Sequence, residues 1–198
     1  MKKTPDKALN MPSTEDIRGE FERVEYSRRF AGSVRSTVNI LIVVAAVAVL
    51  VAVLLLPILR IYGTSMHGTL DSDDLVVSVK GSDFTTGDVI AFYYNNNILV
   101  KRVIGGPGDW VDVDLDGNVY VNQKKIDEPY LREKSYGEEN TNIDLPYQVP
   151  EDRYFVMGDN RSVSIDSRNS SIGCVSSEQV VGKIVFRIWP LSKAGPVH

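Results

Sequence analysis

The uncharged run 38-VNILIVVAAVAVLVAVLLLPIL-59 decides how this chain is organised. No Asp, Glu, Lys or Arg occurs in the 24 residues from Ser36 to Leu59. At a rise of about 1.5 Å per residue, a helix of that length exceeds the roughly 30 Å hydrocarbon core of a bilayer. The run is also longer than the apolar part of a secretory signal peptide, which spans about 7–15 residues. We therefore predict one transmembrane helix over residues 37–59.

Basic residues flank this run unequally. Eight Lys and Arg precede it, whereas Arg60 is the one basic residue close behind it and Lys80 is the next. The positive-inside bias predicts a cytoplasmic tail over residues 1–36 and an extracytoplasmic domain over residues 60–198. That domain carries 14 basic and 20 acidic residues. Its net charge of −6 argues against nucleic acid as a partner.

The tail has one helical pattern near the membrane. Ser13 and Asp16 fit a helix N-terminus, and Ile17, Phe21 and Val24 recur at helical spacing. An amphipathic helix and a solvated tail both remain open at this point.

Residues 60–198 alternate between β-branched or aromatic runs and turns rich in Gly, Asp and Asn. The predicted strands are Leu75–Lys80, Asp88–Tyr94, Ile98–Ile104, Trp110–Val113, Asn118–Val121, Tyr154–Met157 and Lys183–Trp189. The sequence LDGN at 115–118 predicts a hairpin turn. A brief helical pattern covers Ser176–Val180, and residues 130–150 are predicted to form a long surface excursion. The fold class is therefore mostly β, preceded by one transmembrane helix.

Metal and cofactor chemistry find little support. The chain has two histidines, His67 and His198, and a single cysteine, Cys174, so neither a His pair at metal spacing nor a CxxC occurs. Cys174 is read as a small buried hydrophobic residue. We predict no metal and no cofactor.

Two residues are candidates for acid–base and nucleophilic chemistry. Lys101 lies in the strand Ile98–Ile104, where burial would lower its pKa and let the neutral amine accept a proton. The alternative is a surface strand in which one of the adjacent cations faces outward. Ser65 lies between Gly63 and Gly68, which permit a tight turn and close substrate approach, although a simple turn hydroxyl has the same pattern.

A third cluster, GDNRSVSIDSR at 158–168, follows the predicted strand YFVM. Its density of hydrogen-bonding side chains suits a network that holds a site rigid, or a well-bonded turn.

Four motifs in order resemble those of the type I signal peptidases, the membrane-bound bacterial Ser/Lys peptidases of family S26. The nucleophile motif S-M-x-P-T-L matches residues 65–70, and the lysine motif K-R-V-x-G with a following G-D matches 101–105 and 108–109. A G-D-V-I segment matches 87–90, and G-D-N-R-x-x-S-x-D-S-R matches 158–168. The single predicted span is similar to the Gram-positive type. The resemblance implies a signal-peptidase-like β-barrel or β-sheet catalytic domain.

The resemblance also implies roles. Ser65 would be the acylated nucleophile and Lys101 its general base, while Ser164 would orient the lysine and Asp166 and Arg168 would support the loop. The oxyanion and substrate-binding positions would be Gly63, Ser65, Ile61, Met66, Leu70 and Val100. His67 falls at a variable position and would have no catalytic role. Substrates would be secretory preproteins with small P1 and P3 residues, emerging from the export machinery at the bacterial cell membrane, with membrane lipid as a further partner.

Two positions depart from the family pattern. Gly68 replaces the proline of the nucleophile motif, and Gly63 stands where some members carry a serine that serves the oxyanion. We expect Gly68 to keep a φ compatible with proline, because the rest of the motif is in register. Two other functions remain open: a related Ser/Lys processing peptidase with a dedicated substrate, and an inactive membrane-tethered β domain that binds a partner.

Overall fold

One long helix is followed by a β-rich region. A computed structural model describes residues 13–81 and 83–197, so His198 and the first twelve residues of the predicted tail lie outside the described residues. Helix α1 covers Thr14–Leu55, so the described part of the tail is helical and continuous with the apolar run. Within the described residues, α1 alone is long and apolar enough to cross a membrane. The chain divides into two units, one ending at Val51 and the other beginning at Ala52.

Helix α1 ends earlier than predicted. The expected end was Leu59, but the helix stops at Leu55, and Ile58–Arg60 form strand β1. Pro57 explains the difference, because proline lacks an N–H and disfavours helical geometry at the residue before it.

The remaining strands are antiparallel and confirm the predicted fold class. They are β2 (Leu75–Val79), β3 (Val89–Tyr94), β4 (Asn97–Gly105), β5 (Trp110–Val113), β6 (Val119–Val121), β7 (Lys124–Lys125), β8 (Tyr147–Gln148), β9 (Arg153–Met157), β10 (Val175–Ser176), β11 (Val180–Trp189) and β12 (Gly195–Pro196). Within the described residues, a large sheet has the order β1-β2-β11-β3-β4-β9-β10 with β12 on β11, and a small sheet has the order β7-β6-β5-β8.

Local sequence signals account for several of these elements. Strands β5 and β6 pair as the predicted hairpin, and Gly117 in its turn has a φ of 77°. The helical pattern before Gly182 is a short 3-10 helix, Ser177–Gln179. Strands β7, β8, β10 and β12 were not predicted, because two residues are too few to show alternation.

Alternation along β3 and β4 divides the core of the large sheet. Val89 and Ala91 belong to one buried cluster, and Ile90 and Phe92 belong to another. Lys101 is the register partner of Ile90. The lysine is therefore carried by a central strand and not by an edge of the sheet.

The segment 130–150 is not the surface excursion that the sequence predicted. Tyr136, Ile143, Leu145 and Tyr147 are partly buried against a core cluster that includes Ile104. Ile143, Leu145 and Tyr147 recur at every second residue, as in a strand, but residues 130–142 show no such alternation, so the segment as a whole was not predicted to cover the core.

Two buried serines predict opposite responses to the same substitution. The Ser78 hydroxyl is fully buried and has no hydrogen-bond partner among the described residues. The Ser167 hydroxyl accepts from Val156 N at 2.9 Å and donates to Gly173 O at 2.7 Å. We expect Ser78→Ala to leave the free energy of unfolding unchanged or raise it by about 1 kcal/mol, and Ser167→Ala to lower it by roughly 1–3 kcal/mol. Denaturant unfolding of both variants checks this, and equal losses would contradict it.

Candidate active site

The amine of Lys101 lies inside the protein. The residue is 3% exposed, and its Nζ donates a hydrogen bond to Ser164 Oγ at 3.0 Å. Burial lowers the pKa of Lys101 from an ordinary 10.5 to about 8, although the Asp166 carboxylate acts in the opposite direction. A lysine with this pKa is partly neutral in mildly alkaline solution, where it can accept a proton.

The partner of Lys101 is held by a buried ion pair. Ser164 bonds to Asp166, and the Asp166 carboxylate accepts hydrogen bonds from Arg168 Nε and Nη2, both at 2.9 Å. Burial acts to raise the pKa of Asp166, but the hydrogen bond and charge of Arg168 outweigh it, so the pKa lies below its ordinary value. The structure thus brings together all four of these residues as predicted: the lysine, the serine, the aspartate and the arginine.

Ser65 opens a turn that rests on the same loop. Ser65 O accepts a hydrogen bond from Asn160 N at 2.9 Å, and Thr64 O accepts one from Asn160 Nδ2 at 3.1 Å. Further along the turn, Thr69 Oγ1 donates to Asp159 Oδ2 at 2.6 Å. Two residues of the loop 158–168 therefore fix both ends of the turn that carries Ser65.

Gly158 brings Ser65 and the lysine network together. A Cβ atom at Gly158 would lie 2.3 Å from Ser164 Oγ and 2.5 Å from Ser65 O, so no larger residue fits without displacing one of them. Within the described residues, no hydrogen bond joins the Ser65 hydroxyl to the Lys101 amine. Such bonds are often long before substrate binds and tighten in the complex.

A groove of about 510 Å³ opens at Ser65. Of the predicted substrate-binding residues, Ile61, Gly63, Met66 and Val100 line it. Leu70 does not: it is fully buried in the apolar cluster that contains Ile61 and Met66. The family resemblance implied a groove wall at Leu70, but the turn folds its side chain into the core.

The Ser65 N–H has no hydrogen-bond partner among the described residues. A backbone N–H in that condition is able to donate to a substrate oxygen.

His67 and Cys174, for which the sequence predicted no catalytic role, have contacts elsewhere in the structure. His67 Nδ1 lies 2.6 Å from Asp71 Oδ1, and its Nε2 lies 3.2 Å from Arg132 Nη1, so both ring nitrogens have partners. Cys174 is 7% exposed in a core cluster, and burial raises the pKa of its thiol to about 11, which confirms the prediction of a buried hydrophobic residue. No group of three or more His, Cys, Asp or Glu that could hold a metal occurs in residues 13–81 and 83–197.

The sequence did not anticipate that both adjacent cations of β4 are buried. Arg102 is fully buried and makes a bidentate pair with Asp159, with distances of 2.9 and 2.7 Å. The ring of Tyr130 lies 3.7 Å from Arg102 Cζ. Alternation places one of two neighbours outward, but here the turn with Thr69 covers the second face of the strand.

Sequence reasoning also missed Glu128 and Tyr130. They precede and open the segment 130–150, whose first part has no periodicity, and no motif marks them.

Comparisons with known proteins show what this chain is similar to. The family model described as "Signal peptidase, peptidase S26" matches residues 34–189. Signal peptidase IB of Staphylococcus aureus (strain COL) is 40% identical over 151 residues, covering 67% of this chain and 78% of the relative. Signal peptidase I S of Bacillus subtilis (strain 168) is 37% identical over 166 residues, covering 75% and 89%. A crystal structure of a signal peptidase I from Enterococcus faecalis V583 matches with a TM-score of 0.43 and 35% identity, covering 51% of this chain and 96% of that one.

The family model and the two relatives make the chain a peptidase of the serine endopeptidase class. More particularly, it belongs to the signal peptidase family, peptidase S26. The apolar helix is consistent with anchoring in a membrane.

The expectation that Gly68 has a φ compatible with proline is wrong. Its φ is +115°, whereas proline requires about −65°. A Cβ at this position would meet Arg132 Cγ at 3.5 Å, an ordinary contact, so backbone geometry and not space demands glycine. The turn has therefore taken a different backbone path from one that proline could follow.

Gly68→Pro should therefore unfold the turn. We expect the free energy of unfolding to fall by roughly 3 kcal/mol or more and proteolytic activity to be lost, because proline cannot reach a positive φ. Gly81→Ala is the matched control, since Gly81 has no positive φ and nothing lies within 4 Å of its added Cβ. Thermal unfolding and peptide cleavage measure both effects. A Gly68→Pro protein as stable and active as the parent would refute this geometry.

Proposed function

We propose that this chain is a membrane-anchored serine endopeptidase that removes N-terminal signal peptides from exported preproteins, using Ser65 as nucleophile and Lys101 as general base. The observation that carries the proposal is the buried Lys101 amine, 3% exposed and hydrogen-bonded to Ser164. Among side chains, a neutral lysine is a base that needs no histidine, and both nitrogens of His67 are engaged on the surface.

In the first half of the reaction, neutral Lys101 takes the proton of the Ser65 hydroxyl as Oγ attacks the scissile carbonyl carbon. The Ser65 N–H donates to the oxyanion that forms. The tetrahedral species then collapses, the C–N bond breaks, and the Lys101 ammonium gives its proton to the leaving amine of the mature protein. An ester between Ser65 and the signal peptide remains.

In the second half, Lys101 takes a proton from a water molecule, which attacks the ester carbonyl. The C–O bond to Ser65 breaks, the ammonium returns its proton to Oγ, and the signal peptide leaves with a free carboxylate. Ser164 holds the lysine amine in place throughout, and the Asp166–Arg168 pair holds Ser164.

The groove supports a preference for small apolar side chains in an extended substrate. Its walls near Ser65 are Ile61, Met66 and Val100, and the first two are nearly fully buried, so the space beside the nucleophile is narrow and apolar. The backbone groups of Tyr62 and Gly63 have no hydrogen-bond partner among the described residues, so they offer a short edge along which a substrate strand can bind. We propose that this groove selects small residues at P1 and P3.

A lipid-facing role fits one exposed surface of the β-rich unit. Ile58 and Phe186 both pair with Val77 across neighbouring strands and are 60% and 41% exposed. Trp189 and Leu191 follow on β11 and just beyond it, 52% and 74% exposed. Apolar and aromatic side chains of this kind favour a membrane interface. The positive-inside bias supports an orientation with the β-rich unit outside the cell membrane, where preproteins would emerge from the export machinery.

Single substitutions test the two reacting groups. Ser65→Ala and Lys101→Met should each reduce cleavage of a purified preprotein to background, and Lys101→Arg should not restore it, because a guanidinium stays protonated. His67→Ala is the control and should change kcat/KM by less than about tenfold. Wild-type-like turnover in the Ser65 or Lys101 variants would sink the mechanism.

The pH dependence tests the state of the lysine. Because the neutral amine is the active form and the pKa of Lys101 is lowered to about 8, kcat/KM should rise about tenfold per pH unit below that value and level off above it. Melting temperatures across the same range separate titration from acid unfolding. A profile already flat from pH 5 upward would contradict a lysine base.

A further inference from the structure

Glu128 is a buried carboxylate outside the residues assigned to the reaction. It is 6% exposed and lies between strand β7 and the segment 130–150. Both terminal nitrogens of Arg161 donate to it, and the Tyr130 hydroxyl donates to its Oε1 at 2.9 Å. A buried charge is costly unless it is paired and hydrogen-bonded, so three donors on one carboxylate mark a fixed point of the structure.

A chain of hydrogen bonds, here called the first arm, runs from Glu128 through Arg161 and Gly158 toward Lys101. Arg161 Nε donates to Gly158 O at 3.1 Å, and Gly158 N donates to Asp166 Oδ2 at 3.0 Å. Gly158 is the residue against which Ser164 Oγ and Ser65 O pack. Arg161 therefore fixes the glycine that sets the spacing between the nucleophile turn and the serine that holds Lys101.

A second chain of contacts, here called the second arm, runs from Glu128 through Tyr130 and Arg102 to the turn that carries Ser65. The Tyr130 ring stacks on the Arg102 guanidinium at 3.7 Å, and Arg102 holds Asp159 through two hydrogen bonds. Asp159 in turn accepts the hydrogen bond of Thr69. Burial, and then the charge of Glu128, raise the pKa of Tyr130, so its hydroxyl stays protonated and keeps donating.

We propose that Glu128 is a positioning residue that aligns Ser65 with Lys101 by fixing both arms at once. The inference rests on the proposed roles of those two residues. Without the carboxylate, the Arg161 guanidinium is left buried and unpaired, so it moves and releases Gly158. The Tyr130 ring also loses its anchor over Arg102. The reacting atoms then spend less time in line, while residues 59–63 and 96–100, which line most of the groove, belong to neither arm.

Glu128→Gln tests this directly, with Glu138→Gln as the matched control on an exposed acid of the neighbouring segment. Full-length proteins are assayed on one preprotein, and active sites are counted with a serine-directed acylating probe so that unfolded protein does not enter kcat. We expect kcat per active site to fall about tenfold to a hundredfold in Glu128→Gln, with KM within about twofold. Glu138→Gln should match the parent in both.

Tyr130→Phe provides a second variant if Glu128→Gln does not fold. It keeps the ion pair and removes one donor, so kcat should fall about threefold to tenfold at constant KM. Parental kcat in folded Glu128→Gln, or in Tyr130→Phe where the first variant is unfolded, overturns the positioning role, as does a rise in KM alone. Comparing the parent with Ser65→Ala distinguishes failure of this proposal from failure of the proposed function. If the two proteins cleave the preprotein at the same rate, the proposed function is wrong. The Glu128 variants test the positioning role once the parent cleaves faster than Ser65→Ala.

Discussion

Burial of the Lys101 amine is the constraint on which the rest of the site depends. Burial in a central strand removes the ammonium group from water and destabilises its charged form. The neutral amine is therefore favoured, and the pKa of Lys101 falls to about 8. The buried amine still needs a partner, and Ser164, fully buried itself, supplies it at 3.0 Å. A hydroxyl can do this only while it stays in place, so the loop that carries Ser164 must be rigid.

Three guanidinium–carboxylate pairs supply that rigidity, and each side chain is at most 1% exposed: Arg102–Asp159, Arg161–Glu128 and Arg168–Asp166. Pairs of this kind add little net stability over apolar packing, yet breaking one is costly. What these pairs contribute here is orientation. Each guanidinium also donates a hydrogen bond to a backbone carbonyl, namely that of Gly87, Gly158 and Tyr136 respectively. The pairs therefore fix backbone positions around Lys101 that side-chain packing alone would leave adjustable.

The sequence predicted what depends on neighbours along the chain and missed what depends on distant contacts. Strands such as β3 and β4 are runs rich in β-branched and aromatic residues and fold as strands. The motif residues Lys101, Ser164, Asp166 and Arg168 come together in the fold. Leu70 and Gly68 were placed wrongly, because the path of a turn is set by what it packs on, here loop 158–168 and Arg132. Glu128 gave no signal, since its ion-pair partner Arg161 lies 33 residues further along the chain.

Contacts within the β-rich unit also determine where Ser65 lies. Only Leu56 and Pro57 lie between α1 and β1, so the chain reaches Ser65 soon after the helix ends. The segment around Ser65 is nevertheless fixed by the β-rich unit: Ile61 exchanges backbone hydrogen bonds with Asp73 and Asp74, both at 2.9 Å. Beyond the serine, Arg187 donates to Thr69 O at 3.0 Å. Both ends of the segment around Ser65 are thus tied within the β-rich unit. Because the same unit carries Lys101, the position of Ser65 relative to Lys101 is set by contacts of the β-rich unit alone.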